Sequence, residues 1–214
     1  MLRVNIDRTN QDAYHLIHRE LRQRFAAHAG EKRVAIYPGI VHDHSGGHPD
    51  SSCLFDRDAE AAFTIEQHVR HGIDDLASFP ARSSSGCTAC RQNAYVIGPE
   101  GELYKCWNDI GRPERRVGSV GRGCVGNPAL VADYLVGASY LDDPKCNRCF
   151  YLPVCDGGCP TVRLDNYLTG SRKAVCSKFK NSLEALLEVH YERRQRQASE
   201  PGLMPAEAPT PATT

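Results

Sequence analysis

Apolar and polar residues alternate at the start of the chain, and a helical pattern follows. The alternation over residues 2–6 predicts a β-strand. Between residues 14 and 25, apolar side chains recur three or four positions apart, as on one face of a helix: Tyr14, Ile17, Leu21 and Phe25. Asn10 or Asp12 is expected to cap this helix, and Gly30 is expected to end it.

A second strand is predicted at residues 33–37 and is expected to end at Pro38 and Gly39. A strand, a helix and a strand at these lengths predict one βαβ unit of a parallel sheet. A single unit of this kind cannot cover both faces of its sheet. We therefore expect it to pack against another part of the chain, or against a part that precedes Met1.

The remaining patterns predict three further helices and a β-hairpin. The helices are expected at residues 58–71, 128–136 and 177–197. The hairpin joins strands at 93–97 and 102–106 through the turn Gly98-Pro99-Glu100-Gly101. Composition predicts a loop, a linker and a disordered tail, which cover residues 42–58, 80–86 and 198–214.

The overall composition argues against nucleic acid and anionic membranes as partners and favours metal binding by the cysteines. The 26 Lys and Arg residues balance the 26 Asp and Glu residues, so we expect no binding of nucleic acid or of an anionic membrane. No apolar stretch approaches the roughly 20 residues that cross a bilayer, and the N-terminus does not read as a signal peptide. We therefore expect a cytoplasmic protein with reduced thiols. Its ten cysteines are better explained by metal binding than by disulfides.

Eight of the ten cysteines fall into two blocks. The upstream block is Cys87, Cys90 and Cys106, and the downstream block is Cys146-x2-Cys149-x5-Cys155-x3-Cys159, followed by Cys176. In tightly spaced runs the last cysteine often binds the neighbouring cluster, because the chain cannot wrap one cluster completely. On that rule Cys159 joins the upstream block, and each block then supplies four thiolates. Four-cysteine zinc sites also use CxxC pairs, so structural zinc is the alternative.

The spacing of these cysteines resembles the SPASM domain, the C-terminal auxiliary-cluster domain of peptide-modifying radical SAM enzymes. Cys90 is followed by ten residues, Gly101, four residues and Cys106, and the downstream block fits the family pattern without a deviation. The resemblance covers about residues 87–180. A fainter resemblance extends over the first 80 residues, where LRVNIDRTN and KRVAIYPGI look like the fifth and sixth strands of the radical SAM partial barrel.

This resemblance implies an α+β fold and two auxiliary [4Fe–4S] clusters. The ligands would be Cys87, Cys90, Cys106 and Cys159 for the first cluster, and Cys146, Cys149, Cys155 and Cys176 for the second. The resemblance implies a βαβ remnant of the radical SAM partial (β/α) barrel at residues 1–80 and the SPASM domain with its hairpin at residues 81–180. A C-terminal helix at residues 181–197 and a disordered tail at residues 198–214 would follow. In that family the clusters bind a peptide or protein substrate, sulfatases included, or accept electrons.

One departure limits what the resemblance implies about catalysis. The C-x3-C-x2-C triad, which holds the cluster that cleaves S-adenosylmethionine, is absent, and so are the first four barrel strands. We therefore expect the C-terminal part of a radical SAM/SPASM protein, which is not catalytic alone. It would use S-adenosylmethionine only if the missing half is supplied, for example by a separate radical SAM subunit. A separate electron donor is a further expected partner.

A second departure concerns a candidate base. Some sulfatase-maturing relatives carry Asp directly after the cysteine that matches Cys106, where this chain has Trp107. Asp109 is then the candidate for a catalytic base. Trp107 itself is expected to shield the cluster beside Cys106 from water.

Some residues with metal-binding or charged side chains remain outside this pattern. Cys53 and Cys124 are expected to be ordinary free thiols. Cys53 shares a loop with four polar residues that are alternative candidates for metal binding or substrate contact: His42, Asp43, His44 and His48. Four arginines are expected in a solvated loop, or in contact with an acidic leader peptide: Arg112, Arg115, Arg116 and Arg122. Arg3 and Asn5 are expected in core packing or in solvent. A stand-alone scaffold that binds a peptide or a partner, with clusters or zinc as structural staples, is the alternative function.

Overall fold

The computed structural model describes residues 1–31, 34–42, 51–80, 87–122, 124–155, 157–173 and 175–199. The fold belongs to the mixed α+β class. The described residues form two compact units, the first from residues 1–42, 51–80 and 178–199 and the second from residues 87–177. In the described part of the chain, no helix is both long and apolar enough to span a membrane.

The first unit begins with the predicted βαβ arrangement. Strand β1 (Leu2–Ile6) pairs in parallel with β2 (Ile36–Ile40), and Ile6 lies opposite Ile40. Helix α1 (Tyr14–Arg24) connects them. The predicted end of the second strand is wrong, because β2 (Ile36–Ile40) continues through Pro38 and Gly39. Proline is tolerated there since β2 pairs on one side only, among the described residues.

The predicted ends of helix α1 are also wrong. A short 3₁₀ turn (Gln11–Ala13) precedes the helix, and no side chain caps it. The Asn10 side chain instead accepts a hydrogen bond of 3.0 Å from the backbone N–H of Asp7. Such local side-chain bonds compete with helix capping. The helix ends at Arg24, and a 3₁₀ segment (Ala26–Glu31) contains Gly30.

Two longer helices complete the first unit. Helix α2 (Arg57–His71) is close to its predicted bounds, is capped by Asp56 and ends at Gly72, whose φ is +63°. Helix α6 (Phe179–Ser199) packs against α2, so the C-terminal helix belongs to this unit and is not a separate segment. The core comprises Ile6, Tyr14, Phe55, Phe63, Ile73 and Leu76.

An ion cluster joins α2 to the residue that precedes α6. The Glu60 carboxylate lies 2.9 Å from Arg57, 3.3 Å from His42 and 3.5 Å from the ammonium of Lys178. Burial disfavours the ionised carboxylate, but the hydrogen bonds from His42 and Arg57 and the charge of Lys178 outweigh it. The result is a pKa of Glu60 lowered to about 2.

The second unit is built on four short antiparallel strands in the order β3-β4-β5-β6. They are Val96–Ile97, Glu102–Tyr104, Gly118–Ser119 and Cys124–Val125. The predicted hairpin is confirmed as β3–β4, with shorter strands than expected, whereas β5 and β6 were not predicted. The helices are α3 (Pro128–Ala132), continued by a π-helical turn (Asp133–Gly137), α4 (Leu152–Cys155) and α5 (Pro160–Thr169).

Some predictions fall on residues that the structure does not describe. They include the loop residues Asp43, His44 and His48, the linker at 81–86 and the tail from residue 200. The side chains of Arg122 and Cys124 also lie outside the described set.

The Glu60 cluster predicts a specific pH dependence. The folded-state pKa lies below the ordinary value of 4.5, so the stabilisation is complete above pH 4.5 and is lost as the pH falls towards 2. Glu60→Gln should therefore lower the free energy of unfolding by about 2–3 kcal/mol near neutral pH, and by much less at pH values near 2. Urea unfolding of both chains across this range measures the difference.

The matched control is Glu66→Gln, on the same helix. Glu66 pairs with Arg70 at the surface, so its loss should change the stability by less than about 0.5 kcal/mol at every pH. A Glu60→Gln effect that stays constant from pH 7 to pH 2 would contradict the account.

Candidate metal centre

Both CxxC pairs of the second unit form the same backbone turn. The N–H of Cys90 donates to the carbonyl of Cys87 at 3.0 Å, and the N–H of Cys149 donates to the carbonyl of Cys146 at 2.9 Å. Each pair therefore lies within a single turn of chain. None of the nine cysteines that the structure describes forms a disulfide.

Lys105 connects the first CxxC turn to the hairpin. Its ammonium donates to the carbonyl of Arg91 at 2.5 Å and to that of Ala94 at 2.8 Å, and the residue is 1 % exposed. Lys105 directly follows strand β4 and precedes Cys106. The end of the hairpin thus carries Cys106 and also holds the loop after Cys90.

Cys159 approaches this group from the start of helix α5, where it is the N-cap residue. Desolvation raises the pKa of the Cys90 thiol, and the thiols of Cys87 and Cys159 raise it further against the charge of Lys105. Desolvation also raises the pKa of the Cys106 thiol, and Cys159 again contributes. Cys159 therefore lies near both Cys90 and Cys106, which are distant from it in sequence.

The surroundings of these four thiols fit a thiolate-bound group. Grouped, partly desolvated thiols resist ionisation, and a bound metal offsets that penalty. The Thr161 hydroxyl is buried and makes no hydrogen bond of ordinary geometry, yet it lies close enough to favour the thiolate of Cys106. An unpaired donor beside a thiol suits a negatively charged sulfur ligand. Among the described residues, however, no three His, Cys, Asp or Glu side chains are grouped so as to hold a single metal ion.

The downstream cysteines lie on segments that are fixed by Asp143 and Arg163. The side-chain carboxylate of Asp143 accepts a hydrogen bond of 2.8 Å from the N–H of Lys145. The backbone carbonyl of Asp143 accepts one of 3.0 Å from the N–H of Cys146. The guanidinium of Arg163 lies 3.5 Å from the sulfur of Cys146 and 3.3 Å from the carbonyl of Gly157. These bonds hold the loop of Cys146 against the turn that separates Cys155 from Cys159.

Two glycines with positive φ shape that turn. Gly157 and Gly158 have φ values of +71° and +80°. A Cβ atom at Gly158 would lie 1.9 Å from the carbonyl oxygen of Val175. The turn after Cys155 therefore touches the backbone next to Cys176, which brings together the segments of three predicted ligands of the second site: Cys146, Cys155 and Cys176.

Asp109 is enclosed, although it lies close to Cys106. It is 0 % exposed, and its carboxylate accepts a hydrogen bond from the hydroxyl of Tyr134. Burial raises the pKa of Asp109, against the effects of that hydrogen bond and of the nearby arginines. The candidate base thus lies in an internal network, and a substrate would reach it only after the surrounding side chains moved.

The expectations for the arginines and for Trp107 need correction. Arg115 is buried and donates to the buried carboxylate of Asp165, so it is not part of a solvated loop, whereas Arg116 is exposed. Trp107 is 74 % exposed and does not shield its surroundings from water. The predicted site also missed Lys105 and Arg163, because a long cationic side chain gives no sequence signal of its partner.

The remaining candidates lie in the first unit. His42 contacts the carbonyl of Phe55 at 3.1 Å and belongs to the Glu60 cluster. The carbonyl of Cys53 accepts a hydrogen bond of 2.8 Å from the N–H of Arg8. Arg3 and Asn5 are exposed on β1, as one of the two expectations has it.

The chain matches no protein-family model. No curated protein matches it at a significant level.

The Gly158 contact predicts a large effect of a small substitution. Gly158→Ala adds a Cβ that meets the Val175 carbonyl, so it should lower the stability of the metal-free chain by about 1–3 kcal/mol beyond the backbone strain. Gly170→Ala is the matched control, since Gly170 has a similar φ of +68° and no atom near its Cβ position. Its strain alone should lower the stability by about 1–2 kcal/mol. Equal losses in the two variants, measured by urea unfolding, would contradict the contact.

Proposed function

We propose that this chain is the iron–sulfur cluster-binding portion of a radical SAM/SPASM peptide- or protein-modifying enzyme. It would hold two auxiliary [4Fe–4S] clusters that serve electron transfer or substrate binding. The first cluster would use Cys87, Cys90, Cys106 and Cys159, and the second would use Cys146, Cys149, Cys155 and Cys176. The proposal combines the cysteine spacing with the grouping of the residues around Cys159.

The observation that carries the proposal is that Cys159 lies near the upstream block. Cys159 is only four residues beyond Cys155 in its own run, yet it contributes to the raised pKa of both Cys90 and Cys106. The exchange of a terminal ligand between two neighbouring sites is the arrangement expected of two clusters in one small domain. A single site formed by the downstream run alone would not require it.

A zinc ion and a four-iron cluster place different demands on the four thiols of the upstream block. Four thiolates around one zinc ion lie at about 2.3 Å from the same point. In a four-iron cluster each thiolate binds a different iron, so neighbouring thiols need not converge on one point. The spacing of the cysteines, with its shared terminal ligand, is what favours a cluster here.

In this role the bound clusters would supply one-electron chemistry or a site for a substrate group. The chain's own residues would hold the thiolates. The missing C-x3-C-x2-C triad means that the radical step on S-adenosylmethionine would come from a part or a subunit beyond this sequence.

A stand-alone binding scaffold is the second candidate. Its strands in the second unit contain only two or three residues each, so a bound metal group would add much of the order there. Redox titration separates the two functions, because a cluster that only staples the fold need not be reduced at accessible potentials.

Anaerobic reconstitution with iron and sulfide tests the proposal. The chain should bind about eight irons and eight sulfides, and Cys159→Ser should lower both numbers towards about four. Cys53→Ser is the matched control and should leave both unchanged, since Cys53 lies outside the two blocks. A colourless protein that takes up zinc in place of iron and sulfide would contradict the proposal.

A further inference from the structure

Arg163 is a buried cation that donates a hydrogen bond to a cysteine sulfur. Its Nη1 donates to the sulfur of Cys146 at 3.5 Å, and the residue is 8 % exposed. A guanidinium bond to a thiolate is charge-assisted and loses little to solvent at this degree of burial. Arg163 therefore acts directly on a predicted ligand of the second site.

The same guanidinium joins three segments of the chain. It donates to the carbonyl of Ala138 at 3.3 Å, to the carbonyl of Gly157 at 3.3 Å and to the carboxylate of Asp143 at 3.2 Å. Because the fork of an arginine is planar and rigid, these bonds fix the position of its Nη1 relative to Cys146. Arg163 is thus held in place and does not sample the surface.

Helix α5 places Arg163 one turn after Cys159. The N–H of Arg163 donates to the carbonyl of Cys159 at 3.1 Å. The N-cap residue of α5 therefore belongs to the first group of thiols, while a side chain from its first turn reaches the second. The two predicted sites are linked by one rigid helical turn.

Lys105 provides the comparison at the first site. Its ammonium donates hydrogen bonds to the carbonyls of Arg91 and Ala94 and lies 4.6 Å from the centre of the Tyr95 ring. No hydrogen bond from Lys105 to a sulfur is present among the described residues. The buried Arg163 thus bonds to a thiol of the second site, whereas the buried Lys105 at the first site bonds to backbone carbonyls.

We propose that Arg163 is a positioning residue that raises the reduction potential of the second cluster and leaves that of the first cluster unchanged. This inference rests on the proposed function. Hydrogen bonds to ligand sulfur stabilise the reduced, more negative state of a cluster, because its sulfurs carry more charge. Loss of the Arg163 bond should therefore make one of the two clusters harder to reduce.

The test is an anaerobic redox titration of the full chain loaded with iron and sulfide, monitored by electron paramagnetic resonance. Arg163→Gln should lower one of the two potentials, with about a tenfold change in the reduction equilibrium, which corresponds to about 59 mV for one electron. Arg163→Lys should give a smaller shift, since it keeps the charge but not the fork. Arg172→Gln, at an exposed position, is the control and should shift neither potential.

The iron content of each variant separates the possible failures. If Arg163→Gln loses the second cluster, so that about four irons remain, Arg163→Lys carries the test, and a second-cluster potential equal to that of the wild type in Arg163→Lys overturns the inference. If both clusters stay and neither potential moves, or if both potentials move together, the inference is overturned. Loss of both clusters also overturns it. A wild-type chain that binds no iron overturns the proposed function, and the inference falls with it.

Discussion

The turn between Cys155 and Cys159 is the constraint on which the second unit depends. Its two glycines adopt positive φ values, and one of them lies against the Val175 carbonyl, where no side chain fits. This turn sends Cys159 towards Cys90 and Cys106, while Cys155 stays with the downstream segments. Helix α5 begins directly afterwards, so its orientation and the position of Arg163 follow from the same turn.

The second unit has little regular structure to stabilise this arrangement. Among the described residues, its hydrophobic core cluster contains seven buried side chains, and its strands are only two or three residues long. Polar contacts between distant parts of the sequence also stabilise the second unit. Lys105 holds the first CxxC loop, Arg163 holds the second, and Arg115 pairs with Asp165. Each of these cations is buried, so removing its partner would leave an uncompensated charge.

Much of this fold follows from local patterns, and the rest depends on tertiary contacts. The parallel pair, helix α2 and the hairpin were predicted because their periodicity and turn residues are strong. The start of α1 was not, because Asn10 bonds to the backbone of Asp7 and not to the helix. Helix α5 was missed since it follows a segment dominated by cysteine, proline and glycine.

In the candidate metal centre, too, some residues are indicated by the cysteine spacing and others depend on tertiary contacts. The grouping of eight cysteines, with Cys159 joined to the upstream block, comes from spacing and stays a prediction. Lys105, Arg163 and the burial of Asp109 depend on partners that lie far away along the chain, so no pattern in the sequence indicates them. An iron–sulfur cluster and a zinc ion add different masses to the chain, so the bound group can be identified by its mass. Native mass spectrometry of the anaerobically reconstituted chain is the most direct measurement. The account predicts a mass increase equal to two [4Fe–4S] clusters, whereas an increase equal to one or two zinc ions, or none, would contradict it.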